Sequence, residues 1–269
     1  MKKQPAVLAP ALCLLALTIV TGLARAQAPA AENAKIWTAD RVQALEEYIK
    51  TAEVVEMSDI GVGVTKPKKA KLAPGGPVEA ISFKPIRPGR YSGFYESYKS
   101  EIAAYELDKL LGLGMIPPTV EKRVKGDLGA AVLWATPTKS FKDLGGVPGQ
   151  GAVKGPPPAE IPRWTRQLIQ AKMFDNLIAN IDPNLGNWLV DPSWNLILID
   201  HTRAFTNTKN LYHQIGSVDA PLWEKMKALD EPGLTAALGN WIDKGNIKAM
   251  LERRDKMQQV FDKLRGTQQ

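Results

Sequence analysis

The sequence has little cysteine and little histidine: Cys13 is the single cysteine in 269 residues, and His201 and His213 are the two histidines. Cys13 lies in a segment that we expect to be removed. The mature chain would then have no disulfide, no thiol nucleophile and no cysteine ligand for a metal. Two histidines this far apart do not suggest a zinc site. After the N-terminal segment no apolar run reaches about 18 residues, so no later membrane span is expected.

The first 26 residues have the pattern of an export signal. Two lysines follow the initial Met, residues 6–24 form an apolar run, and an Ala-Arg-Ala triplet at 24–26 supplies the small residues of a cleavage site. An uncleaved membrane anchor is the alternative, but Pro10 and the Ala-x-Ala ending favour cleavage. We therefore predict a signal peptide at residues 1–26 and a mature protein in the periplasm or outside the cell.

The excess of positive charge is small. The formal net charge is +7, and it falls to +4 when the export signal and its three basic residues are removed. An excess of this size permits anionic ligands such as nucleotides but does not require nucleic acid. We expect no nucleic-acid partner. The glycine-flanked serine of serine hydrolases is also missing from the sequence.

Periodicity and turn signals predict a strand-rich first half and a helical second half. We predict a helical N-terminal extension at residues 27–57 and a strand-rich lobe at 58–142 that contains one long helix, at 97–113. Residues 143–162 are rich in glycine and proline and are typical of an insertion or linker. Residues 163–269 form the helical lobe. The predicted fold class is therefore α+β with two lobes.

Three oxygen-bearing side chains mark the second half of the chain. Asp182 follows a predicted buried helix, Asn187 comes five residues later, and Asp200 follows a predicted strand hairpin. Taken singly, Asp182 fits an ordinary turn and Asp200 fits the end of a strand. Together they fit phosphoryl transfer, which needs a carboxylate to orient the attacking hydroxyl and oxygen ligands for divalent cations. Their spacing also matches the catalytic pattern of kinases.

Five segments around these positions carry a wider resemblance. They are 83–85 (FKP), 100–108 (SEIAAYELD), 116–120 (IPPTV), 174–182 (FDNLIANID) and 198–205 (LIDHTRAF). In this order they resemble the secretory-pathway kinases of the Golgi casein-kinase type. The loop at 182–187 is also similar to that of phosphoinositide kinases and HipA-type kinases. The resemblance covers about residues 58–206 and implies a two-lobed, protein-kinase-like fold.

The resemblance also implies a role for each matching residue. Lys84 would contact nucleotide phosphates and pair with Glu101, which would also help to hold a metal. Asp182 would be the catalytic base. Asn187 and Asp200 would be metal ligands, with Asp200 the principal one.

The same resemblance implies a nucleotide site. Gly61 and Gly63 would lie in a loop over the phosphates, where their backbone N–H groups can approach oxygen closely. Leu133 and Trp134 would lie against the base where the chain leads into the hinge. The implied cofactors are ATP, or another nucleoside triphosphate, and Mg²⁺ or Mn²⁺.

Two positions depart from the family pattern. Pro183 stands where these kinases usually carry a basic residue, and His201-Thr202 replaces the Phe-Gly of protein kinases. Four lysines at 66–71 would suit an acidic acceptor, although a solvated loop is the more common role of such a run.

We therefore expect an exported phosphotransferase that moves the γ-phosphoryl group of a nucleotide to a hydroxyl on a protein, lipid or glycan. Three alternatives remain open at this point. They are a secreted pseudokinase that binds nucleotide or acts as a scaffold, another transferase on the same scaffold, and a structural protein without a ligand.

Overall fold

The computed structural model describes residues 37–60, 67–182 and 184–266, together with Met1. Apart from Met1, the predicted signal peptide lies outside the described residues, as do Gly61, Gly63 and Pro183. None of the helices in the described ranges is long and apolar enough to span a membrane.

Ten strands lie in the described residues, most of them in the first half. They are β1 (Val54–Asp59), β2 (Lys68–Leu72), β3 (Ala80–Lys84), β4 (Gly89–Tyr91), β5 (Phe94–Glu96), β6 (Thr119–Val124), β7 (Asp127–Leu133), β8 (Lys139–Ser140), β9 (Trp188–Val190) and β10 (Leu196–Leu198). The same ranges contain six α-helices. They are α1 (Val42–Thr51), α2 (Tyr98–Leu111), α3 (Ile161–Ile178), α4 (Ala220–Lys227), α5 (Glu231–Leu238) and α6 (Lys244–Gly266).

The main sheet has five strands in the order β1-β2-β3-β7-β6, and neighbouring strands are antiparallel. Strand β3 shows how it positions a functional side chain. Ile81 and Phe83 are fully buried in a core that also contains Leu45 and Ile49 of α1. Because side chains alternate between the faces of a strand, Lys84 points to the face opposite Phe83.

Helix α2 begins and ends on strong local signals. The Ser97 side chain accepts a hydrogen bond from the Lys99 N–H at 3.0 Å, and Gly112 ends the helix with φ = 65°. An N-cap serine and a left-handed C-terminal glycine satisfy backbone groups that the helix leaves open. Glu101 therefore lies in the first turn of α2, close to the sheet.

The helical half packs around α3. Phe174, Leu177 and Ile178 of this helix are fully buried, in one core with residues of α2, β10 and α6. Ala179 ends the helix in a left-handed conformation with φ = 53°. The chain then enters the loop that contains Asp182. The two strands that follow this loop, β9 and β10, belong to a three-stranded sheet in the order β10-β9-β8.

The predicted helical extension at 27–57 is wrong at its C-terminal end. The helix covers only Val42–Thr51, and residues 54–57 belong to β1, where Met57 pairs with Ala70 of β2. Val54 and Val55 are β-branched and fit a pleated surface, and pairing with β2 overrides the helical periodicity. The other lobe boundaries remain predictions. Within 143–162 the structure has turns, a short 3-10 helix (Pro158–Glu160) and the start of α3.

Helix α2 offers a matched test of core packing. Leu107 is fully buried and Leu110 is 50% exposed. We expect Leu107→Ala to lower the free energy of unfolding by about 2–5 kcal/mol, because it removes buried methyl groups and leaves a cavity. Leu110→Ala should change it by less than about 1 kcal/mol. Urea unfolding of both variants measures the difference, and equal losses would contradict this packing of α2.

Candidate active site

A cavity of about 990 Å³ lies between the main sheet and the loop that follows α3. Its walls come from both halves of the chain. The lining residues with polar or charged side chains include Ser82, Lys84, Asp143, Asp182, Asn184, Asn187, Asp200, Thr202 and Arg203. Lys84 therefore shares one site with Asp182, Asn187 and Asp200, which lie far from it in the sequence.

Lys84 is buried at the back of this cavity, with 5% of its surface exposed. Its Nζ lies 2.5 Å from Glu101 Oε1 and 2.9 Å from Asp200 Oδ1. A buried ammonium group is stable only when it is paired and hydrogen-bonded. Carboxylates from α2 and from the segment after β10 provide this pairing.

Glu101 stands behind Lys84 and is only 1% exposed. Its Oε1 also accepts the backbone N–H of His201 at 2.9 Å. Burial alone would raise the pKa of Glu101, but the Lys84 charge and the His201 side chain hold that pKa at about 2. For Lys84 both effects have the opposite direction. Burial lowers the pKa of Lys84, and the charges of Asp200 and Glu101 raise it well above its usual value. Glu101 is not among the residues that line the cavity, and its role as a metal ligand remains a prediction.

Asp200 is held in an unusual backbone conformation, with φ = 64°. Left-handed conformations are uncommon for residues other than glycine, and aspartate is among those that tolerate them. Its side chain is 28% exposed, and its Oδ1 accepts hydrogen bonds from Lys84 Nζ and, at 3.3 Å, from Thr202 Oγ1. None of the described residues donates a hydrogen bond to Asp200 Oδ2.

The loop after α3 is shaped by amide side chains. Asn187 Nδ2 donates to the backbone oxygen of Asp182 at 3.1 Å, and Asn180 Oδ1 accepts the Asp182 N–H at 3.2 Å. Asn184 Nδ2 donates to Asp182 Oδ1 at 3.2 Å. These bonds hold Asp182 at the cavity wall, with 39% of its side chain exposed.

The donor set at this wall fits a hard divalent cation. Asn187 Nδ2 donates to the Asp182 backbone oxygen, which leaves the Asn187 Oδ1 available to a cation. Asp200 offers its Oδ2, to which none of the described residues donates a hydrogen bond. Carboxylate and amide oxygens suit Mg²⁺ and Mn²⁺. Within the described ranges, no group of three His, Cys, Asp or Glu side chains is arranged to hold a metal ion.

Part of the cavity lining is apolar. Leu133, Trp134 and Leu189 line it, and the Lys69 ammonium lies 4.5 Å from the centre of the Trp134 ring. A slot with apolar walls suits a flat heterocyclic ring. The predicted base-binding residues Leu133 and Trp134 therefore lie in the same cavity as Lys84.

No protein-family model and no curated protein sequence matches the chain. Solved structures do match it. The match to the Golgi casein kinase with Mn and ADP bound covers 83% of this chain and 76% of that kinase chain, at 13% identity and a TM-score of 0.60. The match to hydra Fam20 with sugar covers 84% of this chain and 90% of the Fam20 chain, at 17% identity and a TM-score of 0.59. The match to the Helicobacter pylori proinflammatory kinase CtkA covers 77% of this chain and 92% of the CtkA chain, at 12% identity and a TM-score of 0.50.

The chain has a kinase-like fold. At these identities the similarity concerns the fold, and it confirms the two-lobed α+β class and the structural resemblance expected from the sequence. In this kinase-like fold, Lys84 and Glu101 belong to the strand-rich lobe. Asp182, Asn187 and Asp200 belong to the helical lobe.

Sequence reasoning missed three side chains that support the candidate site. Asp175 is buried in α3, its Oδ1 accepts from Asn180 Nδ2 at 2.9 Å, and burial raises its pKa. Asn180 in turn holds the Asp182 N–H. The third is Arg203, whose Nη1 lies 3.2 Å from Asp182 Oδ2. A cation thus stands against Asp182 although position 183 is proline. All three lie in the segments that carry the resemblance, and this position was the signal that could have found them.

The Lys84–Glu101 pair predicts a pH dependence. The pKa of Glu101 falls from an ordinary 4.5 to about 2 on folding. A lowered folded-state pKa contributes stability above pH 4.5 that is lost as the pH falls toward 2, and a shift of this size corresponds to about 3 kcal/mol. We expect Glu101→Gln to destabilise the protein at pH 6 and to flatten the loss of stability below pH 4.5.

Urea unfolding in EDTA at a series of pH values measures this effect. Glu56→Gln is the control, because Glu56 and its partner Lys71 are both more than half exposed. Its profile should follow that of the wild type. A Glu101→Gln profile parallel to the wild type would contradict the buried pair.

Proposed function

We propose that the protein is a phosphotransferase that moves the γ-phosphoryl group of ATP, or of another nucleoside triphosphate, to a hydroxyl acceptor. One observation carries this proposal. Lys84 is paired with both Glu101 and Asp200 at the wall of a cavity that Asp182 and Asn187 also line. Such a cavity combines a fixed cation for phosphates, oxygen ligands for a metal and a carboxylate near the reaction centre.

The nucleotide would bind with its base in the apolar slot beside Leu133 and Trp134. Its phosphates would then point toward Lys84, whose ammonium group is held in place before the nucleotide arrives. A fixed charge costs no reorganisation when it meets the phosphates, so it stabilises the charge that develops during transfer. As predicted from the sequence, Gly61 and Gly63 would lie in a loop over the same phosphates.

Asp200 and Asn187 would hold Mg²⁺ or Mn²⁺. A bound divalent cation neutralises phosphate charge and helps to align the phosphates for in-line transfer. The solved Golgi casein kinase was determined with Mn and ADP, which supports a nucleotide–metal site in proteins of this fold. Glu101 already accepts a hydrogen bond from Lys84 and would have to turn away from it to bind the metal. We therefore assign Glu101 first to holding Lys84.

Asp182 would orient the acceptor hydroxyl and accept its proton. In the proposed reaction the acceptor oxygen forms a bond to the γ-phosphorus, the bond to the β–γ bridging oxygen breaks, and the nucleoside diphosphate leaves. The acceptor is a hydroxyl of a protein, lipid or glycan. The predicted export signal would place the reaction in the periplasm or outside the cell.

A nucleotide-binding module without turnover is the second candidate. Asp182 favours it, because both of its carboxylate oxygens already accept hydrogen bonds, Oδ1 from Asn184 and Oδ2 from Arg203. These bonds use part of the hydrogen-bonding capacity of the carboxylate, and an acceptor hydroxyl must reach one of the remaining lone pairs. Nucleotide binding without transfer would support this candidate.

Nucleotide binding can be tested without knowing the acceptor. ATP with Mn²⁺ at about 100 times the dissociation constant should stabilise the mature protein by about 2.7 kcal/mol. Asp200→Asn should remove most of the metal-dependent part of this stabilisation. Asp255→Asn, a change of the same kind on the exposed surface of α6, should retain it. Thermal unfolding with and without Mn²⁺ gives the comparison, and an unchanged shift in Asp200→Asn would refute the metal role.

Asp182 allows catalysis to be separated from binding. We expect Asp182→Ala to lower the transfer rate by roughly 10²- to 10⁴-fold, because it removes the group that takes the proton. Its stabilisation by ATP and Mn²⁺ should stay close to that of the wild type. Transfer from γ-labelled ATP to candidate proteins, lipids and glycans is followed by mass spectrometry. Equal rates for the wild type and Asp182→Ala would remove Asp182 from the mechanism.

A further inference from the structure

The Arg203 guanidinium connects the hairpin of β4 and β5 to Asp182. Its Nε and Nη2 donate to Glu96 Oε1 at 2.9 and 2.8 Å, and its Nη1 donates to Asp182 Oδ2 at 3.2 Å. It also lies over the Phe94 ring, 4.5 Å from the ring centre. Three separate contacts therefore set the plane of one side chain that lines the cavity.

The Glu96 end of this arrangement is rigid. Glu96 is 2% exposed at the end of β5, and a buried carboxylate requires a hydrogen-bonded cation. Arg203 meets that need with two neighbouring nitrogens of its planar fork. The backbone reinforces the contact, because the Ser97 N–H donates to the Thr202 oxygen at 3.0 Å. The start of α2 and the segment after β10 are thus joined directly beside Arg203.

The Asp182 end needs such support. Its side chain is 39% exposed, and its other partner, Asn184, is itself an exposed residue of the same loop. An exposed carboxylate can rotate, whereas a base must be held within hydrogen-bond reach of the hydroxyl it serves. Arg203 is the described side-chain partner of the Asp182 carboxylate that is anchored outside the loop.

We propose that Arg203 is a positioning residue that holds the Asp182 carboxylate in its working orientation, with Glu96 and Phe94 as its anchors. The proposal rests on the proposed phosphotransferase function. Arg203 does not take part in proton transfer and acts through Asp182. Glu96 therefore affects the reaction although it does not line the cavity. The hairpin of β4 and β5 becomes part of the catalytic apparatus.

The experiment uses the mature protein with ATP and Mn²⁺, and water as the acceptor, so that release of inorganic phosphate reports turnover. Arg203→Ala should lower kcat by about 10- to 100-fold, which is the effect of displacing a reacting group by about 1 Å. The KM for ATP and the thermal shift with ATP and Mn²⁺ should stay within about twofold of the wild type, because binding and positioning are separate effects. Glu96→Gln should lower kcat in the same direction but less.

Rescue separates positioning from folding. Guanidinium ion at millimolar concentrations should restore part of the Arg203→Ala rate and none of the Asp182→Ala rate. Arg203→Lys should have a lower kcat than the wild type, because a lysine cannot bridge the two carboxylates with a planar fork. Arg163→Ala is the control, since Arg163 pairs with Glu160 on the exposed surface and its loss should leave kcat unchanged.

Three results would overturn the proposal. They are an unchanged kcat in Arg203→Ala, a rise in the KM for ATP that accounts for the whole loss, and a loss that guanidinium cannot restore. If the wild type itself releases no phosphate, transfer to the candidate acceptors decides the proposed function and crystal structures decide the positioning role. The proposal then predicts that the Asp182 carboxylate changes its orientation in Arg203→Ala, and an identical orientation in both structures would overturn it.

Discussion

Lys84 keeps a positive charge inside the protein, and this charge requires two carboxylates from distant parts of the chain. Glu101 comes from the first turn of α2, and Asp200 follows β10, 116 residues after the lysine. An unpaired ammonium group at this depth would be far less stable than one in water. The relative placement of the main sheet, α2 and the segment after β10 is therefore tied to one ion-pair cluster. The cavity lies beside this cluster, lined by the main sheet, the loop after α3 and the segment after β10.

The acidic side chains around the cavity differ mainly in exposure, and this difference divides their roles. Glu101 is 1% exposed and meets only protein groups, so it holds Lys84. The side chain of Asp200 is 28% exposed and has one oxygen free of described partners, which suits a cation shared with phosphates. The side chain of Asp182 is 39% exposed and can be reached by an acceptor. In the proposed mechanism the same chemical group would serve as a structural partner, a metal ligand and a base according to its depth in the protein.

Some features of the fold could be read locally. Helix α2 was predictable because Ser97 and Gly112 mark its ends, and the short loop between β6 and β7 contains Gly126. The end of α1 was not predictable in this way, since residues 54–57 satisfy a helical pattern and become a strand only by pairing with β2. Arg203 and Glu96 were missed for a related reason. An arginine and a glutamate 107 residues apart carry no local sign of a contact, and their pairing depends on burial of the hairpin end.

The sequence by itself determined the chemical groups and their order. The spacing of Asp182 and Asn187, the aspartate after a hairpin and the lysine at the end of a strand are properties of short segments, which local periodicity and turn residues place correctly. Only the tertiary structure decided which of these groups meet. The Lys84 contacts, the left-handed turn at Asp200 and the Arg203 bridge depend on packing between elements remote in the chain. Burial and pairing energies over such distances arise only when the whole core has formed, so no short segment contains them.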